Sequence, residues 1–329
     1  MSAKEQTISN HLVLRMSSRL KEYFNDQHVG KIILRKVERH SYSIIFYYIS
    51  PTRTGTAKAI VVKVCQNAAH QYNRMVELWP RFAPYPGLKI PRPLDLFEQE
   101  MALVMEEAPG MPLSKTLPRL GWSSTRLQSA ESDCRRIGRW LRVYHQFDAV
   151  QENKVFSVNK ALSDFDASLG ALQKIGCNIS GFAKSDALIT AVAKRIAGES
   201  RPVSKLHGDF KMDNIMITRT TVTVLDISID SRQITDLDIV AFLNSILMLR
   251  LTRPIPWAAI DGMRKNFLEG YFGGLTTSEL LIYFLQVLSL AEIALEIAQR
   301  RSSHTVNLWI GWSLKSFVAK LIKDMKRLV

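Results

Sequence analysis

Three polar residues in the second half of the chain have the types and the spacing that phosphoryl transfer requires. The segment LHGDFKMDNIMI contains Asp209 and, five positions later, Asn214, and the apolar segment TVTVLDIS contains Asp226. A carboxylate can orient an attacking hydroxyl and accept its proton, and carboxylate and amide oxygens are ligands that Mg²⁺ prefers. The residues predict a general base at Asp209 and a magnesium site at Asn214 and Asp226.

Two short apolar runs surround the candidate metal ligands and predict a β-hairpin over residues 214–227. Antiparallel strands would bring Asn214 and Asp226 together at one end of the hairpin, beside the loop that contains Asp209. The alternative is an ordinary turn, in which Gly208 supplies backbone freedom and the polar side chains bond local amides. The metal-site interpretation is preferred because residues further upstream also fit phosphoryl transfer.

With these residues the chain resembles the aminoglycoside phosphotransferase and choline kinase-like superfamily, whose members share the protein kinase-like fold. The family signature HGDxxxxN is matched in full by His207, Gly208, Asp209 and Asn214. The later metal-binding aspartate of the family matches Asp226. The resemblance implies an α+β fold of two lobes, with a small antiparallel β-rich N-lobe and a larger helical C-lobe. It also implies that ATP and Mg²⁺ are the cofactors and that a small molecule with a hydroxyl group is the acceptor.

Upstream, the chain contains counterparts of the family's nucleotide-binding residues. Lys63 lies in the apolar segment AIVVKV, and in this family such a lysine reaches the ATP phosphates. The alternative is an edge-strand lysine that points to solvent. The segment ALVMEEAPG resembles the hinge between the lobes, where backbone groups bind the adenine edge. The resemblance places that contact at Met105, Glu106 and Glu107, and a plain strand and turn is the alternative.

Two features depart from the family pattern. The segment VERHSYS has no glycine, so close backbone approach to phosphate is not available there. The resemblance instead assigns phosphate contacts to the hydroxyls of Ser41 and Ser43. The helix after Lys63 is expected to offer a carboxylate partner, yet its only acidic residue is Glu77. Lys211, inside the signature, is expected to contact phosphate or substrate.

Two further segments resemble parts of the family fold that support the catalytic loop. The segment IGRWLRVYH is similar to the helix that precedes this loop, and we expect its His145 to be structural rather than catalytic. Asp238 begins the segment DIVAFL and is expected to cap a helix or to brace the catalytic loop. Asp236 is an equally local alternative for that role.

Hydrophobic patterning divides the chain into a strand-rich first part and a helix-rich second part. It predicts strands over residues 31–37, 42–50, 57–64 and 102–105 and a helix over residues 67–79. Further helices are predicted over residues 130–147 and 185–196 and from residue 238 onwards. The predicted organisation is a nucleotide-binding lobe over residues 1–106, a hinge over residues 107–112 and a helical lobe over residues 113–329.

Composition narrows the class of protein without deciding the function. An apolar fraction of 47% and a charged fraction of 22% are typical of an ordinary globular protein. The net charge of +14 is compatible with an anionic partner, but zinc-finger spacing and RNA-recognition aromatics are missing, so no nucleic-acid role is expected. The three cysteines are far apart and form no CxxC pair, which indicates a reducing, cytoplasmic location.

The acceptor is not specified by any motif. The family's acceptors include aminoglycosides, choline, sugars and amino alcohols, and a glycan precursor would also fit. Acceptor contacts are expected around Trp122, around residues 164–166 and on the final helices. Because the chain is basic, a neutral or anionic carbohydrate-like acceptor is slightly favoured.

Two apolar segments near the C-terminus raise the question of membrane contact. Residues 280–298 include a glutamine and two glutamates, so a buried core helix is expected rather than a membrane span. Residues 314–328 alternate apolar and basic positions at helical spacing. Such a helix could lie on an anionic membrane, but packing against the helical lobe is the preferred interpretation.

Three functions remain open at this point. The first is an ATP-dependent small-molecule kinase with Asp209 as its base. The second is a pseudokinase or regulatory module that binds nucleotide without turnover, which the glycine-free loop and the missing partner of Lys63 favour. The third is a basic surface protein that binds nucleic acid or membrane, and it is the least favoured.

Overall fold

The structure is a computed structural model that describes residues 2–24, 31–51, 57–117, 124–150, 153–227, 231–252, 255–274, 279–300 and 304–329. By its contacts the chain forms two compact units. The first comprises Met1–Pro112 with Asn214–Ser228, and the second comprises Leu113–Asp213 with Ile229–Val329. The sequence-based division placed residues 214–228 in the helical lobe, whereas by contacts this segment groups with the first unit.

A five-stranded antiparallel sheet forms most of the first unit. Its order is β1-β2-β3-β6-β5. The strands are β1 (Ile33–His40), β2 (Ser43–Ser50), β3 (Lys58–Cys65), β5 (Pro93–Phe97) and β6 (Ala102–Glu106). The predicted strands agree with β1, β2, β3 and β6 to within a few residues, because these segments are rich in β-branched and aromatic side chains. Most of the predicted turn over residues 51–55 lies outside the described residues.

One face of this sheet is covered by an N-terminal helix, α1 (Ala3–Phe24). The apolar residues of α1 pack with strand residues that alternate along β2, β3 and β6; the cluster includes Leu12, Met16, Phe46, Tyr48, Ile60, Val62 and Val104. Because side chains alternate between the two faces of a strand, the intervening residues point to the opposite face. Lys63 is one of these intervening residues.

Two of the longer elements of the first unit were not predicted. Helix α1 was not predicted because the first residues are polar and its apolar stripe is narrow. Strand β5 was not predicted because prolines interrupt its segment. Pro93 is the first residue of β5, and β5 lies at the edge of the sheet, where a missing N–H costs no ladder hydrogen bond.

The remaining elements of the first unit are a helix and a small second sheet. Helix α2 (Ala68–Phe82) corresponds to the predicted helix and contacts β3, β5 and β6. The predicted hairpin is present as β11 (Ile215–Ile217) and β12 (Val222–Val224), with Ile215 paired to Val224. Two short strands extend it into a sheet of order β4-β12-β11-β7, with β4 (Leu88–Lys89) and β7 (Met111–Pro112).

The second unit is mainly helical. Its helices are α3 (Leu113–Thr116), α4 (Ser124–Phe147), α5 (Val158–Lys174), α6 (Ser180–Ala183), α7 (Asp186–Ile196), α8 (Asp236–Thr252), α9 (Trp257–Phe272), α10 (Glu279–Arg300) and α11 (His304–Met325). Two strand pairs accompany them: β8 (Lys154–Val155) with β9 (Ser200–Arg201), and β10 (Val203–Lys205) with β13 (Arg232–Ile234). The predicted two-lobed kinase-like fold class is confirmed.

Helices α4 and α9 approach each other closely because each has a glycine at the contact. A Cβ atom on Gly138 of α4 would lie 2.1 Å from the carbonyl oxygen of Phe267, and one on Gly270 would lie 2.1 Å from that of Arg135. No side chain larger than hydrogen fits at these distances. The contact brings Tyr271, the residue after Gly270, against α4.

The two C-terminal helices belong to the core of the second unit. One described helical segment, Glu279–Gln299, is long and apolar enough to cross a bilayer, but 67% of its most apolar window is buried within the protein. In α11 the apolar stripe is buried as well, including Phe317, Leu321 and Met325. Protein covers two thirds of this window of α10 and the apolar side chains of α11 described from Leu314 to Met325, so membrane contact through this part of α11 would have to use its exposed lysines.

Candidate active site

The HGD segment lies in the loop that follows β10 in the second unit. Asp209 is half-buried, and its backbone N–H donates to Nδ1 of His207 at 3.3 Å. The ammonium of Lys211 lies 2.8 Å from Oδ1 of Asp209. The loop therefore holds its carboxylate partly open to solvent and next to a cation.

Asp238, on the first turn of α8, braces this loop. Its Oδ2 accepts the backbone N–H of His207 at 2.7 Å, and its Oδ1 accepts that of Gly208 at 2.9 Å. Gly208 has a φ of +79°, which residues with a side chain rarely adopt. Of the two roles considered for Asp238, the structure shows bracing of the loop.

A buried histidine completes the surroundings of Asp238. Nε2 of His145 lies 3.0 Å from Oδ2 of Asp238, and both side chains are almost fully buried. Burial opposes ionisation of Asp238, but the hydrogen bond from His145 and the backbone donors outweigh it and lower the pKa of this carboxyl. His145 is thus a structural histidine in its contacts, as the sequence indicated.

Asp236, the alternative to Asp238, has a different partner. Its carboxylate pairs with the guanidinium of Arg201, with 3.1 Å between Nε and Oδ2. Arg201 lies in β9, so this ion pair joins the start of α8 to the strands that precede the catalytic loop. Asp236 therefore stabilises the surroundings of the loop rather than the loop itself.

Aromatic side chains of α4 and α8 pack against the buried residues of the HGD loop. The ring of Phe210 stacks on Trp140 of α4 with centroids 5.7 Å apart and packs against Phe242 of α8 at 5.6 Å. His207 contacts Trp140 and Phe210 edge to face. Buried aromatic contacts of this kind restrict the rotamers of the loop residues, so His207 and Phe210, which flank Gly208 and Asp209, are fixed in the core.

In the first unit, Lys63 forms an ion pair with Asp226. Its ammonium lies 2.6 Å from Oδ1 of Asp226, and the lysine side chain is only 9% exposed. Asp226 has a φ of +59°; among the described residues, only it and Met101 have a positive φ without being glycine. Such a conformation is uncommon for an ordinary residue and is often found at functional sites.

The hairpin brings the two predicted metal ligands to the same end, as its antiparallel pairing requires. The backbone N–H of Leu225 donates to the carbonyl oxygen of Asn214 at 2.8 Å, and Asp226 is the next residue. Asn214 is 8% exposed. An amide and a carboxylate oxygen at one strand end fit a hard cation with few protein ligands. Among the described residues, no cluster of three or more histidine, cysteine or acidic side chains offers a different metal site.

Glu77 does not serve as the partner of Lys63. Its carboxylate pairs with Arg74 at 2.8 Å and with Arg81 at 3.1 Å, both on α2. The carboxylate expected on this helix is supplied instead by Asp226.

Ser41 and Ser43 lie at the two-residue turn between β1 and β2, where His40 pairs with Ser43. Ser41 is exposed, and Ser43 is half-buried. The strand register puts Ser43 opposite Cys65, two residues from Lys63. The side chains of Ser43 and Lys63 therefore point to the same face of the sheet, opposite to the face that α1 covers.

Met105, Glu106 and Glu107 lie at the end of β6. Met105 pairs with Val61, so its side chain shares the face of Lys63. The N–H groups of Glu106 and Glu107 donate within the sheet, to carbonyl oxygens of Arg92 and Ala59, at 3.0 Å each. Adenine would therefore have to pair with carbonyl groups here and with the N–H of the following residue, Ala108.

The segments predicted to contact the acceptor are only partly described. Trp122 lies outside the described residues. Asp164 and Asp166 lie on α5, where Asp164 pairs with Lys160 at 2.6 Å on the exposed surface. The structure thus places Lys63, Asn214 and Asp226 together in the first unit and Asp209 with Lys211 in the second.

The sequence of residues 47–226 matches the phosphotransferase enzyme family known as APH, which is more than half of the chain. The chain belongs to this family. The match includes the ion pair of Lys63 and Asp226 as well as the whole signature from His207 to Asn214. The resemblance inferred from the sequence is therefore confirmed. A comparison with curated proteins gave no match.

Solved structures of this phosphotransferase fold cover nearly the whole chain. A glucosamine kinase in complex with glucosamine, ADP and inorganic phosphate has a TM-score of 0.57 at 14% identity, over 91% of this chain and 95% of that one. A choline/ethanolamine kinase family protein from Mesorhizobium loti has 0.57 at 11%, over 95% and 96%. An amicoumacin kinase in complex with AMP-PNP, Ca²⁺ and Ami has a TM-score of 0.52 at 14% identity, over 99% of this chain and 96% of that one. At these identities the likeness shows the shared fold.

Proposed function

We propose that this phosphotransferase transfers the γ-phosphoryl group of ATP to a hydroxyl of a small molecule. The observation that carries the proposal is the complete set of Lys63, Asp209, Asn214 and Asp226 in a chain of this family. Among the fold neighbours, the glucosamine kinase binds ADP and the amicoumacin kinase binds AMP-PNP, which supports an adenine nucleotide as donor.

Asp209 is proposed as the general base. Its half-exposed carboxylate accepts the proton of the attacking hydroxyl, so that the oxygen can form a bond to the γ-phosphorus while the bond to ADP breaks. Lys211, whose ammonium lies 2.8 Å from this carboxylate, is positioned to contact the phosphoryl group. The bracing by Asp238 fixes the backbone that carries the base.

Asn214 and Asp226 are proposed to hold a divalent cation, which we take to be Mg²⁺. When bound, such a cation neutralises the charge of the phosphates. The Ca²⁺ in the amicoumacin kinase complex supports a divalent ion in this fold. Lys63 is proposed to bind the ATP phosphates, because its ammonium is held in place by Asp226 on the sheet face that also carries Ser43.

The acceptor is proposed to be a sugar, glycan precursor, aminoglycoside or amino alcohol. Glucosamine is the acceptor bound in one fold neighbour, which supports the carbohydrate-like end of this range. We place the reaction in the cytoplasm, because the three cysteines are free and buried, as expected in a reducing compartment.

An ATP-consumption screen tests the proposal. The full chain with Mg²⁺ is incubated with pooled aminoglycosides, sugars, amino alcohols and glycan precursors, and ADP formation is measured for each pool. One or more pools should stimulate ADP formation. Asp209→Asn should lower the rate by about 10²–10⁴-fold, the usual contribution of a general base, while nucleotide binding persists. Asp213→Asn, an exposed neighbour in the same loop, should remain active. Full activity of Asp209→Asn would exclude Asp209 as the base.

A further inference from the structure

The brace beneath the catalytic loop continues into the helices of the second unit. Nδ1 of His145 lies 2.8 Å from the hydroxyl of Tyr271, on the opposite side of the ring from Asp238. The side chains of Tyr271, His145 and Asp238 are all buried. A buried chain of hydrogen bonds therefore runs from Tyr271 through His145 and Asp238 to the N–H groups of the HGD segment.

The hydrogens that each group can donate determine which partner is the donor in each of these hydrogen bonds. The ionised carboxylate of Asp238 only accepts, so Nε2 of His145 must carry a hydrogen to bond to it. With that hydrogen on Nε2, the neutral ring has an acceptor at Nδ1, which the Tyr271 hydroxyl can satisfy as donor. In this arrangement the Tyr271 hydroxyl and Nε2–H of His145 each face an acceptor.

We infer that Tyr271 is a positioning residue for the catalytic loop. Its hydroxyl donates to His145 and so holds the ring in the tautomer that donates to Asp238. Asp238, held from this side, presents both oxygens to the N–H groups of His207 and Gly208. The effect on turnover rests on the proposed role of Asp209 as base; the hydrogen bonding does not.

The packing of α9 on α4 explains why this tyrosine can reach His145. The glycine before it, Gly270, lets the two helices touch backbone to backbone. The ring of Tyr271 then meets that of His145 edge to face, with centroids 5.7 Å apart. The phenol of Tyr271 therefore lies at one defined position along α4, in the interior of the protein.

A matched tyrosine in the same unit offers a control. Tyr283 on α10 is half-buried beneath the guanidinium of Arg264, which lies 3.8 Å from the ring centroid. It does not touch the chain of hydrogen bonds described above. Tyr283→Phe therefore removes a hydroxyl of the same kind without acting on the catalytic loop.

Amide hydrogen exchange tests the inference without requiring enzyme activity. In the full chain, Tyr271→Phe should speed exchange of the His207 and Gly208 amides by about tenfold or more, since their acceptor loses its orientation. Tyr283→Phe should leave these amides as protected as in the wild type. Equal protection in Tyr271→Phe and wild type would overturn the inference, even if the protein proves to have no kinase activity.

Two substitutions of the histidine provide a second, independent test. In His145→Gln the side-chain amide nitrogen lies near the position of Nε2 and can still donate to Asp238, whereas in His145→Asn it reaches only the position of Nδ1. Once an acceptor substrate has been found, kcat should be higher for His145→Gln than for His145→Asn. The KM for ATP should be unchanged in both variants. A kcat for Asn equal to or above that for Gln would contradict the inference. This comparison tests the hydrogen bond from His145 to Asp238, on which the positioning by Tyr271 depends.

Discussion

The ammonium of Lys63 lies 2.6 Å from Oδ1 of Asp226, although 163 positions separate the two residues in sequence. The pair joins the central sheet of the first unit to the end of the hairpin that carries the candidate metal ligands. It also supplies the carboxylate partner that the helix after Lys63 does not offer. The Lys63 side chain is buried, whereas that of Asp226 is partly exposed. The lysine, which lies in the sheet, therefore fixes the orientation of the pair.

Replacing Lys63 with methionine is expected to lower kcat/KM by about 10²–10³-fold, the usual cost of removing one charge-stabilising donor. The side chain keeps its length, so the strand should remain folded. Steady-state kinetics at saturating acceptor measure the effect. Lys58→Met is the control, because Lys58 lies on the same strand but stacks over the Phe24 ring instead. Similar losses in both variants would show that the effect is not specific to the Lys63 position.

The oxygen of Asn214 is expected to contribute to metal affinity. Asn214→Leu removes this donor while leaving a side chain of similar size, and should raise the half-saturating Mg²⁺ concentration at least about tenfold, or about 1.4 kcal/mol. Titration of activity with Mg²⁺ after treatment with a chelator measures this value. If the Mg²⁺ dependence of Asn214→Leu matches that of the wild type, Asn214 is not a metal ligand.

The pH dependence of stability should reveal the lowered pKa of Asp238. Because the folded-state pKa is below the unfolded value of about 3.9, Asp238 contributes stability above that pH and loses it as the pH falls through the folded-state pKa. Asp238→Asn should lower the free energy of unfolding at neutral pH by about 3–5 kcal/mol, the cost of breaking a buried charge network. Urea unfolding across the acid range measures both effects.

In that experiment the exposed Asp213 provides the comparison. Asp213→Asn should follow the wild-type curve across the whole range, while the Asp238→Asn curve should lie lower at neutral pH and converge on it in acid. Parallel curves for wild type and Asp238→Asn would mean that the carboxylate is not the source of the acid dependence.

A clamp between α1 and β1 should be unusually resistant to acid. The guanidinium of Arg39, with the N–H of Ser2, lowers the pKa of Glu5 to about 2. The stabilisation by Glu5 is therefore complete above its unfolded-state pKa of about 4.3 and lost only as the pH falls towards about 2. Glu5→Gln should reduce the thermal midpoint at neutral pH, and the difference from wild type should disappear near pH 2.

Glu22→Gln, an exposed position on the same helix, should change the thermal midpoint little. Because Arg39 leads into the Ser41 turn, Glu5→Gln should also raise the KM for ATP if that turn contacts phosphate. An unchanged midpoint at all pH values would show that the clamp does not contribute to folding.

Local patterns in the sequence were sufficient to predict most of the sheet and the hairpin. The hairpin ligands Asn214 and Asp226 were predictable because two short apolar strands with a tight turn have only one antiparallel register that keeps both buried. Asp238 was recognised as a local neighbour of the loop because it begins the next helix. These predictions depend on residues close together in the chain.

Tertiary relationships were not predictable in the same way. The partner of Lys63 was sought on the adjacent helix, whereas the structure supplies it from a distant strand end. Tyr271 lies 126 positions from His145 and belongs to no motif; only the glycine contact between α4 and α9 brings it there. Helix α1 was not predicted because its apolar stripe becomes visible only once the sheet face that it covers is known.

The most direct test of the proposed kinase activity is ³¹P NMR of a reaction containing the protein, ATP, Mg²⁺ and an acceptor pool that stimulates ADP formation. We expect a new phosphate monoester resonance to grow in step with ADP, and expect Asp209→Asn to show neither. Formation of ADP with inorganic phosphate alone would contradict a kinase, because it is hydrolysis. Stabilisation by ATP with no ADP in any pool would also contradict a kinase and would favour a nucleotide-binding module.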